Sequence, residues 1–280
     1  MKVVILCGGF GTRLREQTEF IPKPMVEIGG RPILWHILKI YSFYGLNEFV
    51  LCLGYKGDII RSYFLDYDLL NSDITLDLET RETHRHNRTH DEQKWRVTLA
   101  ETGLSTMTGG RIRRVMRYID GDTFLATYGD AVADVDIRKL LAFHERSGKL
   151  ATLTAVQPPS RFGRLELDPK AELATGFTEK PLGGEAWVSG GFFVFNRRIQ
   201  DYLDDDSSVL EQEPLMSLAN ERQLAVYRHS GYWQCMDTQR EVETLQSLWS
   251  TSRPPWALWE SRKPAIPVDK AGQTVDTNLA

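Results

Sequence analysis

Seven residues near the start, Gly8-Gly9-Phe10-Gly11-Thr12-Arg13-Leu14, directly follow the apolar run Val3-Val4-Ile5-Leu6-Cys7. Glycines after a strand let the backbone take unusual angles and bring N–H groups close to an anion. Arg13 sets a guanidinium beside those N–H groups, a pairing suited to phosphate. The spacing is not the dinucleotide fingerprint, because Arg13 and Leu14 stand where its last glycine would fall, and no Gly-Lys-Ser/Thr follows to make a Walker loop. By itself such a stretch is equally a plain tight turn. Pro22-Lys23-Pro24-Met25 then holds one lysine between two prolines, so its side chain leaves from a stiff platform. Alone this would be a solvated lysine in a proline turn; beside the glycine loop it supplies a second cation to one anion-binding turn.

Two carboxylates stand out. Asp130 follows the apolar run Phe124-Leu125-Ala126-Thr127-Tyr128 after Gly129, and Asp237 closes Gln234-Cys235-Met236-Asp237. Such a pair suits Mg²⁺, which keeps several waters and also takes phosphate oxygens; an Asp after Gly is equally a turn residue. No convincing Ser/His/Asp or Cys/His set is present. His84, His86 and His90 lie in the charged, aperiodic stretch from Arg81 to Lys94, which reads as an exposed excursion rather than a metal centre. Cys7, Cys52 and Cys235 have no metal-like or disulfide-like pattern and read as small hydrophobes in a reducing cytoplasm.

The elements that must position these groups alternate. Strand-like runs at Val3 to Cys7, Phe49 to Leu53, Phe124 to Tyr128 and Leu150 to Val156 are separated by helix-like segments after Pro32 and from Ile137 to His144. That order predicts an α/β fold, a mostly parallel sheet covered by helices, with every strand-to-helix loop on one rim. Beyond Pro158-Pro159 the pattern turns to short strand-like pieces (Arg164 to Leu167, Val188 to Phe195, Leu224 to Tyr227) around a helix-like Glu213 to Glu221. The expected organisation is one domain over residues 1–260, with halves of about 1–157 and 158–260, and a flexible tail over 261–280. Trp249, Trp256 and Trp259 suit packing against the body or against a neighbouring subunit, so a homo-oligomer is expected.

Composition narrows the partners. The chain has 280 residues, 41% hydrophobic, with 34 Lys and Arg against 38 Asp and Glu for a formal charge of −4. Disorder throughout and nucleic-acid binding do not fit that balance. No apolar run exceeds the length of Val3 to Cys7, which is too short for a membrane span or the core of a secretory signal.

Gly8 to Leu14, Pro22 to Met25 and Gly30-Arg31-Pro32 together resemble the signature of the sugar nucleotidyltransferases. Further stretches resemble the branch that makes CDP-glucose: Pro32 to His36, Leu53 to Gly57, Thr106 to Arg111, Tyr128 to Asp130, Gly190 to Val194, Glu211 to Met216 and Met236 to Thr238, in register from residue 1 to about Glu260. The resemblance implies a Rossmann-like nucleotidyltransferase sheet with a smaller β-rich sugar-binding part. It implies transfer of a cytidylyl group from CTP to α-D-glucose 1-phosphate with Mg²⁺ as cofactor. The attacking group is already a phosphate with a second pKa near 6, so no general base is required; charge neutralisation and positioning carry the reaction.

Residue by residue, the resemblance implies that Arg13 holds the leaving pyrophosphate, Lys23 the α-phosphate, and Asp130 and Asp237 the metal. Leu6, Gly8, Gly9, Gly11, Thr12, Arg13, Lys23, Thr108, Gly110 and Arg111 form the nucleotide-binding set; the glycine pair near Thr108 is equally a helix-entry turn. Gly163, Glu179, Lys180, Ser189 and Gly190 form the sugar-phosphate set. Two departures stand out. Ala131 occupies a place where the family commonly has Gly, which matters if that backbone needs positive φ, and Ser189 stands where the cytidylyl branch commonly has Asn, which bears on the sugar. The same chemistry with UTP, dTTP or another sugar 1-phosphate, or a non-catalytic nucleotide sensor, remains open on sequence.

Overall fold

Lys2–Leu6 form the first strand, β1, in the computed structural model, which describes residues 1–86, 92–158, 164–167, 174–178, 186–251 and 254–261. Val3, Val4 and Ile5 are fully buried, as apolar residues alternating to both faces must be when helices cover both sides of a sheet. Strands β2 (Glu48–Leu53), β3 (Arg96–Glu101) and β4 (Thr123–Tyr128) run parallel to it, β1 pairing with β2 and β4, and β2 with β3. Along the chain, helix α1 (Ile33–Phe43) separates β1 from β2, α2 (Gly57–Leu65) separates β2 from β3, and α3 (Thr108–Val115) separates β3 from β4. The core splits by sheet face: Val3, Ile5 and Leu51 pack with α1, while Val4, Val50 and Phe124 pack with α3.

Later segments extend the same sheet. Strands β5 (Ala151–Val156), β6 (Val188–Ser189), β7 (Phe193–Asn196) and β8 (Leu224–His229) join along the path β6-β5-β7-β4-β1-β2-β3, with β8 also pairing with β5. Strand β7 is antiparallel to β4 and β5, and β8 is parallel to β5. The mostly parallel sheet flanked by helices matches the class expected from the alternation of runs. Helix α4 (Ile137–Ser147) shows why the boundaries fall where they do. The Asp136 carboxylate accepts the Arg138 and Lys139 N–H groups, each at 3.1 Å, and Gly148 ends the helix at φ 61°. Helices α5 (Glu213–Asn220) and α6 (Gln239–Thr251) complete the elements used below.

Two expectations change. The run Val188 to Phe195 is not one strand: it breaks at Gly190-Gly191-Phe192, where Gly191 (φ 73°) and Phe192 (φ 47°) turn left-handed, so β6 and β7 pair separately with β5. The polar stretch from Arg81 is exposed as expected, but Thr83–Arg85 pair with Ile74–Leu76 in a hairpin. The Asp77 carboxylate closes its turn by accepting the Glu79 and Thr80 N–H groups at 2.9 Å. Ile74-Thr75-Leu76 alternates as a strand should, but its partner Thr83-His84-Arg85 holds no apolar residue to announce the pairing. His84 and His86 lie on the hairpin, His86 beside the Thr75 hydroxyl at 2.7 Å; His90 and the chain beyond Ser261 lie outside the described residues. No helix among the described residues is long and apolar enough to cross a membrane.

The tryptophan cluster packs on the body. Trp249, Trp256 and Trp259 gather around His36 of α1, with ring centroids 4.7, 6.1 and 6.3 Å away. His36 Nε2 lies 2.8 Å from the Ile28 carbonyl, and Nδ1 accepts from the Trp256 indole N–H at 3.3 Å. These two partners fix the neutral tautomer with its proton on Nε2. Burial drives the His36 pKa down to about 4, against an opposing push from backbone hydrogen bonds to Ile28 and Arg31. A histidine whose folded pKa lies below its unfolded value contributes fully above about pH 6.5 and loses that contribution as pH falls towards 4. The amount is roughly 3 kcal/mol. The melting temperature of the wild type should therefore drop more steeply between pH 7 and 4.5 than that of His36→Gln; parallel slopes in a thermal melt series would refute this.

Candidate active site

The loops leaving β1, β2, β3 and β4 at their carboxyl ends meet on one rim, where open α/β sheets bind ligands, and a cleft of about 410 Å³ opens there. Of the residues predicted from sequence, Leu6, Gly8, Gly9, Gly11, Thr12, Arg13, Lys23, Thr108, Arg111 and Asp130 line it. The three glycines have separate tasks. Gly11 adopts φ 64°, and its carbonyl accepts the Leu14 N–H at 2.9 Å, closing the short turn Thr12–Leu14 that presents Arg13. Gly9 faces open space, leaving its backbone approachable. Gly8 leaves room for a protein group: a Cβ there would lie 2.1 Å from the Arg111 guanidinium.

Arg111 is only 4% exposed. Its Nη1 donates to the Leu53 carbonyl (3.0 Å), the Thr102 hydroxyl (2.7 Å) and the Gly103 carbonyl (2.8 Å), and Nη2 donates to the Gly8 carbonyl at 3.0 Å. One guanidinium thus clasps the ends of β1, β2 and β3, and burial lowers its pKa. The glycine pair before it proves to be a helix entry. Gly109 and Gly110 open α3, and Gly110 packs so tightly that a Cβ would meet the Asp206 backbone at 2.7 Å. Gly110 does not line the cleft.

Charge concentrates around Lys23. Pro22 precedes the short turn Lys23–Met25, and the ammonium donates to Asp130 at 2.6 Å and to Asp237 at 2.5 Å. Burial alone would lower the Lys23 pKa; Asp130 and Asp237 outweigh it, so the pKa stands above the usual lysine value. Arg13, largely exposed, reaches the second oxygen of Asp237 at 2.6 Å. Four groups far apart in sequence therefore converge: two carboxylates, with a buried and an exposed cation. Such a set can hold a hard cation and neutralise phosphate oxygens. Ala131 begins a short strand, Ala131–Ala133, paired with Trp233–Cys235, and its backbone is not left-handed, so the strain envisaged for an alanine there does not arise.

Ser189 ends β6 opposite Ala155 of β5, and the Gly190 carbonyl accepts the Trp233 indole N–H at 2.9 Å. Gly163, Glu179 and Lys180 lie outside the described residues. Two residues escaped the sequence reading. Glu241 accepts the N–H groups of Asp237 (2.7 Å) and Thr238 (2.9 Å), and so orients Asp237; the spacing Thr238-x-x-Glu241 at a helix start is a capping signature that could have found it. Glu211 joins Tyr128 to Thr108 across the cleft mouth; it fell inside a quoted stretch without a role.

A glycine loop, two cations and two carboxylates on the carboxyl rim of a parallel sheet suit a ligand that carries phosphate groups and an accompanying cation. The chain belongs to the nucleotidyl transferase family, whose sequence profile matches residues 2–253; this family generally uses a divalent metal. The chain is 50% identical to glucose-1-phosphate cytidylyltransferase of Salmonella typhimurium over 262 residues, covering 93% of this chain and 100% of the relative. It is 44% identical to a Bacillus subtilis protein named probable glucose-1-phosphate cytidylyltransferase, covering 92% and 100%. UDP-glucose pyrophosphorylase from Acinetobacter baumanii shares the fold, with a TM-score of 0.65 at 16% identity over 92% of this chain and 96% of that one.

The clasp has a measurable consequence. Lysine at position 111 offers a single ammonium in place of the two-pronged guanidinium, leaving buried carbonyls without donors at about 1–3 kcal/mol each. Arg111→Lys should lower the melting temperature by roughly 5–12 °C. A shift under about 2 °C would mean that the three strand ends are held by something else.

Proposed function

We propose that this protein transfers the cytidylyl group of CTP to α-D-glucose 1-phosphate, giving CDP-glucose and pyrophosphate. The observation that carries the reading is the convergence of Lys23 and Arg13 with Asp130 and Asp237 beside the glycine loop; the names of the two curated relatives support the choice of base and sugar. The phosphate oxygen of the sugar phosphate attacks the α-phosphorus in line, the bond to the β-phosphate oxygen breaks, and pyrophosphate departs with the electron pair. The nucleophile is already ionised near neutral pH, so the cleft need supply no general base, and the Asp130 carboxylate in it is engaged with Lys23.

Lys23 pairs with the α-phosphate as negative charge gathers there, and Arg13 pairs with the departing pyrophosphate. The loop N–H groups around Gly9 and Gly11 face the triphosphate, and Arg111 keeps that loop in register with the ends of β2 and β3. Asp130 and Asp237 would hold Mg²⁺. The donor set fits: two hard carboxylates already lie within 2.6 Å of one shared ammonium, and few protein ligands suit an ion that retains water and takes phosphate oxygens. When bound, the ion supplies further neutralisation of phosphate charge.

Pyrophosphate release, measured with glucose 1-phosphate and Mg²⁺ against CTP, UTP, dTTP, ATP and GTP in parallel, tests the reading. CTP should exceed every other nucleotide by about tenfold or more in kcat/KM, since one or two base hydrogen bonds separate it from UTP. Asp130→Asn and Asp237→Asn should each lower kcat at least roughly 10²-fold with folding intact. Preference for another nucleotide would overturn the base, and near-normal rates in either variant would overturn the assignment of the carboxylates.

A further inference from the structure

Asp130 and Asp237 are brought together by a small antiparallel ladder, in which Ala131–Ala133 pair with Trp233–Cys235. Backbone hydrogen bonds continue it at both ends. The Met236 N–H donates to the Asp130 carbonyl at 2.9 Å, and the Asp134 N–H donates to the Tyr232 carbonyl at 3.1 Å. The two carboxylates thus sit at one end of the ladder, and Asp134 and Tyr232 at the other. So short a two-stranded ladder is marginal by itself, and Ala131, Val132 and Ala133 offer little side chain to define its register. Yet register decides the site. A slip of one residue moves a strand by roughly 3.3 Å and turns its side chains to the other face. Lys23 reaches Asp130 at 2.6 Å and Asp237 at 2.5 Å, so a slip would break one of these contacts.

The far end carries a pin. His229 closes β8 and pairs with Val156 of β5, so it belongs to the main sheet. Its Nε2 lies 3.2 Å from the Tyr232 carbonyl, and the Asp134 carboxylate stands beside the same nitrogen at 2.9 Å. Both neighbours are acceptors, which places a proton on Nε2 and makes it the donor to Tyr232. Gly231 leaves the space for this meeting: a Cβ there would fall 2.3 Å from Asp134 Oδ1 and 2.6 Å from His229 Cε1. One ring therefore ties both strands of the ladder to the end of β8.

We propose that His229 is a positioning residue for the two carboxylates: by fastening the Asp134–Tyr232 end of the ladder to the main sheet, it sets the register that holds Asp237 against Asp130. This rests on the proposed assignment of Asp130 and Asp237 to the divalent cation. His229 acts through the backbone ladder and touches neither carboxylate.

The test follows the full-length wild type, His229→Ala, His229→Gln and Gly231→Ala in two measurements. One is amide hydrogen exchange of the metal-free protein; the other is the Mg²⁺ concentration that gives half-maximal pyrophosphate release with CTP and glucose 1-phosphate. In His229→Ala the Asp134 and Met236 amides should exchange at least about tenfold faster. The half-maximal Mg²⁺ concentration should rise about tenfold, as when a group that orients a metal ligand is removed. His229→Gln keeps an N–H donor at similar reach and should hold both values within about threefold of wild type. Gly231→Ala forces His229 and Asp134 apart while keeping every donor, so it should match His229→Ala, and it decides the matter if His229→Ala fails to fold. Wild-type exchange in His229→Ala, or faster exchange with an unchanged Mg²⁺ requirement, would overturn the inference alone. A wild type that releases pyrophosphate without any divalent cation would overturn the carboxylate assignment and this inference with it.

Discussion

The active rim depends on one buried guanidinium. Parallel strands end with carbonyls that have no further strand to receive them, and in this fold three such ends must stay together while the loops beyond them remain open to a ligand. Arg111 meets that constraint with donors aimed at Leu53, Thr102, Gly103 and Gly8. The arrangement explains residues that otherwise look unrelated. A side chain at Gly8 or Gly54 would collide with the guanidinium at 2.1 or 2.5 Å, so both glycines serve the clasp. The open backbone around Gly9 is left free because the fastening happens one residue earlier.

Charge obeys a similar economy. A buried ammonium without partners would be neutralised or expelled, and two neighbouring carboxylates would repel one another. Lys23 between Asp130 and Asp237, with Arg13 on the remaining oxygen, brings two positive and two negative groups together. The same pairing leaves the set poised to exchange partners with a ligand of matching charges, such as a polyphosphate accompanied by a cation.

Much of this was legible in the sequence, and the exceptions have physical causes. Strands β1, β2 and β4 and helix α1 follow from apolar runs whose period and length admit few other solutions; β3 (Arg96–Glu101), with its mixed polar sequence, was not anticipated, and α4 runs beyond His144 to its left-handed cap at Gly148. The break inside Val188 to Phe195 falls at Gly190-Gly191, a pair that permits a bend, and the buried Phe192 carries the left-handed backbone one residue further. Gly8 and Gly110 were both placed in the nucleotide-binding set, with a helix entry as the equal alternative for the second; Gly8 also makes room for Arg111, and Gly110 packs in α3 against the Asp206 backbone. A missing side chain shows that something comes close, but sequence alone cannot say whether that neighbour is a substrate or the protein itself. Glu211 was hidden for a related reason: its role depends on which hydroxyls face it, and those come from residues about 80 and 100 positions away.

That separation bears on how the site comes to exist. Lys23 and Arg13 belong to the first segment of the chain, yet their counter-charges arrive 107 and 214 positions later for Lys23 and 224 positions later for Arg13. Asp237 is delivered by the strand Trp233–Cys235, which pairs with Ala131–Ala133, just beyond the end of β4, and it is oriented by the first turn of α6. Until these late elements are in place, the first βα unit would carry a lysine buried without its anions, an arrangement that burial disfavours. The glycine loop can form locally, but the charge-balanced cluster cannot. It is a property of the assembled sheet, completed by the late strand Trp233–Cys235 and the first turn of α6.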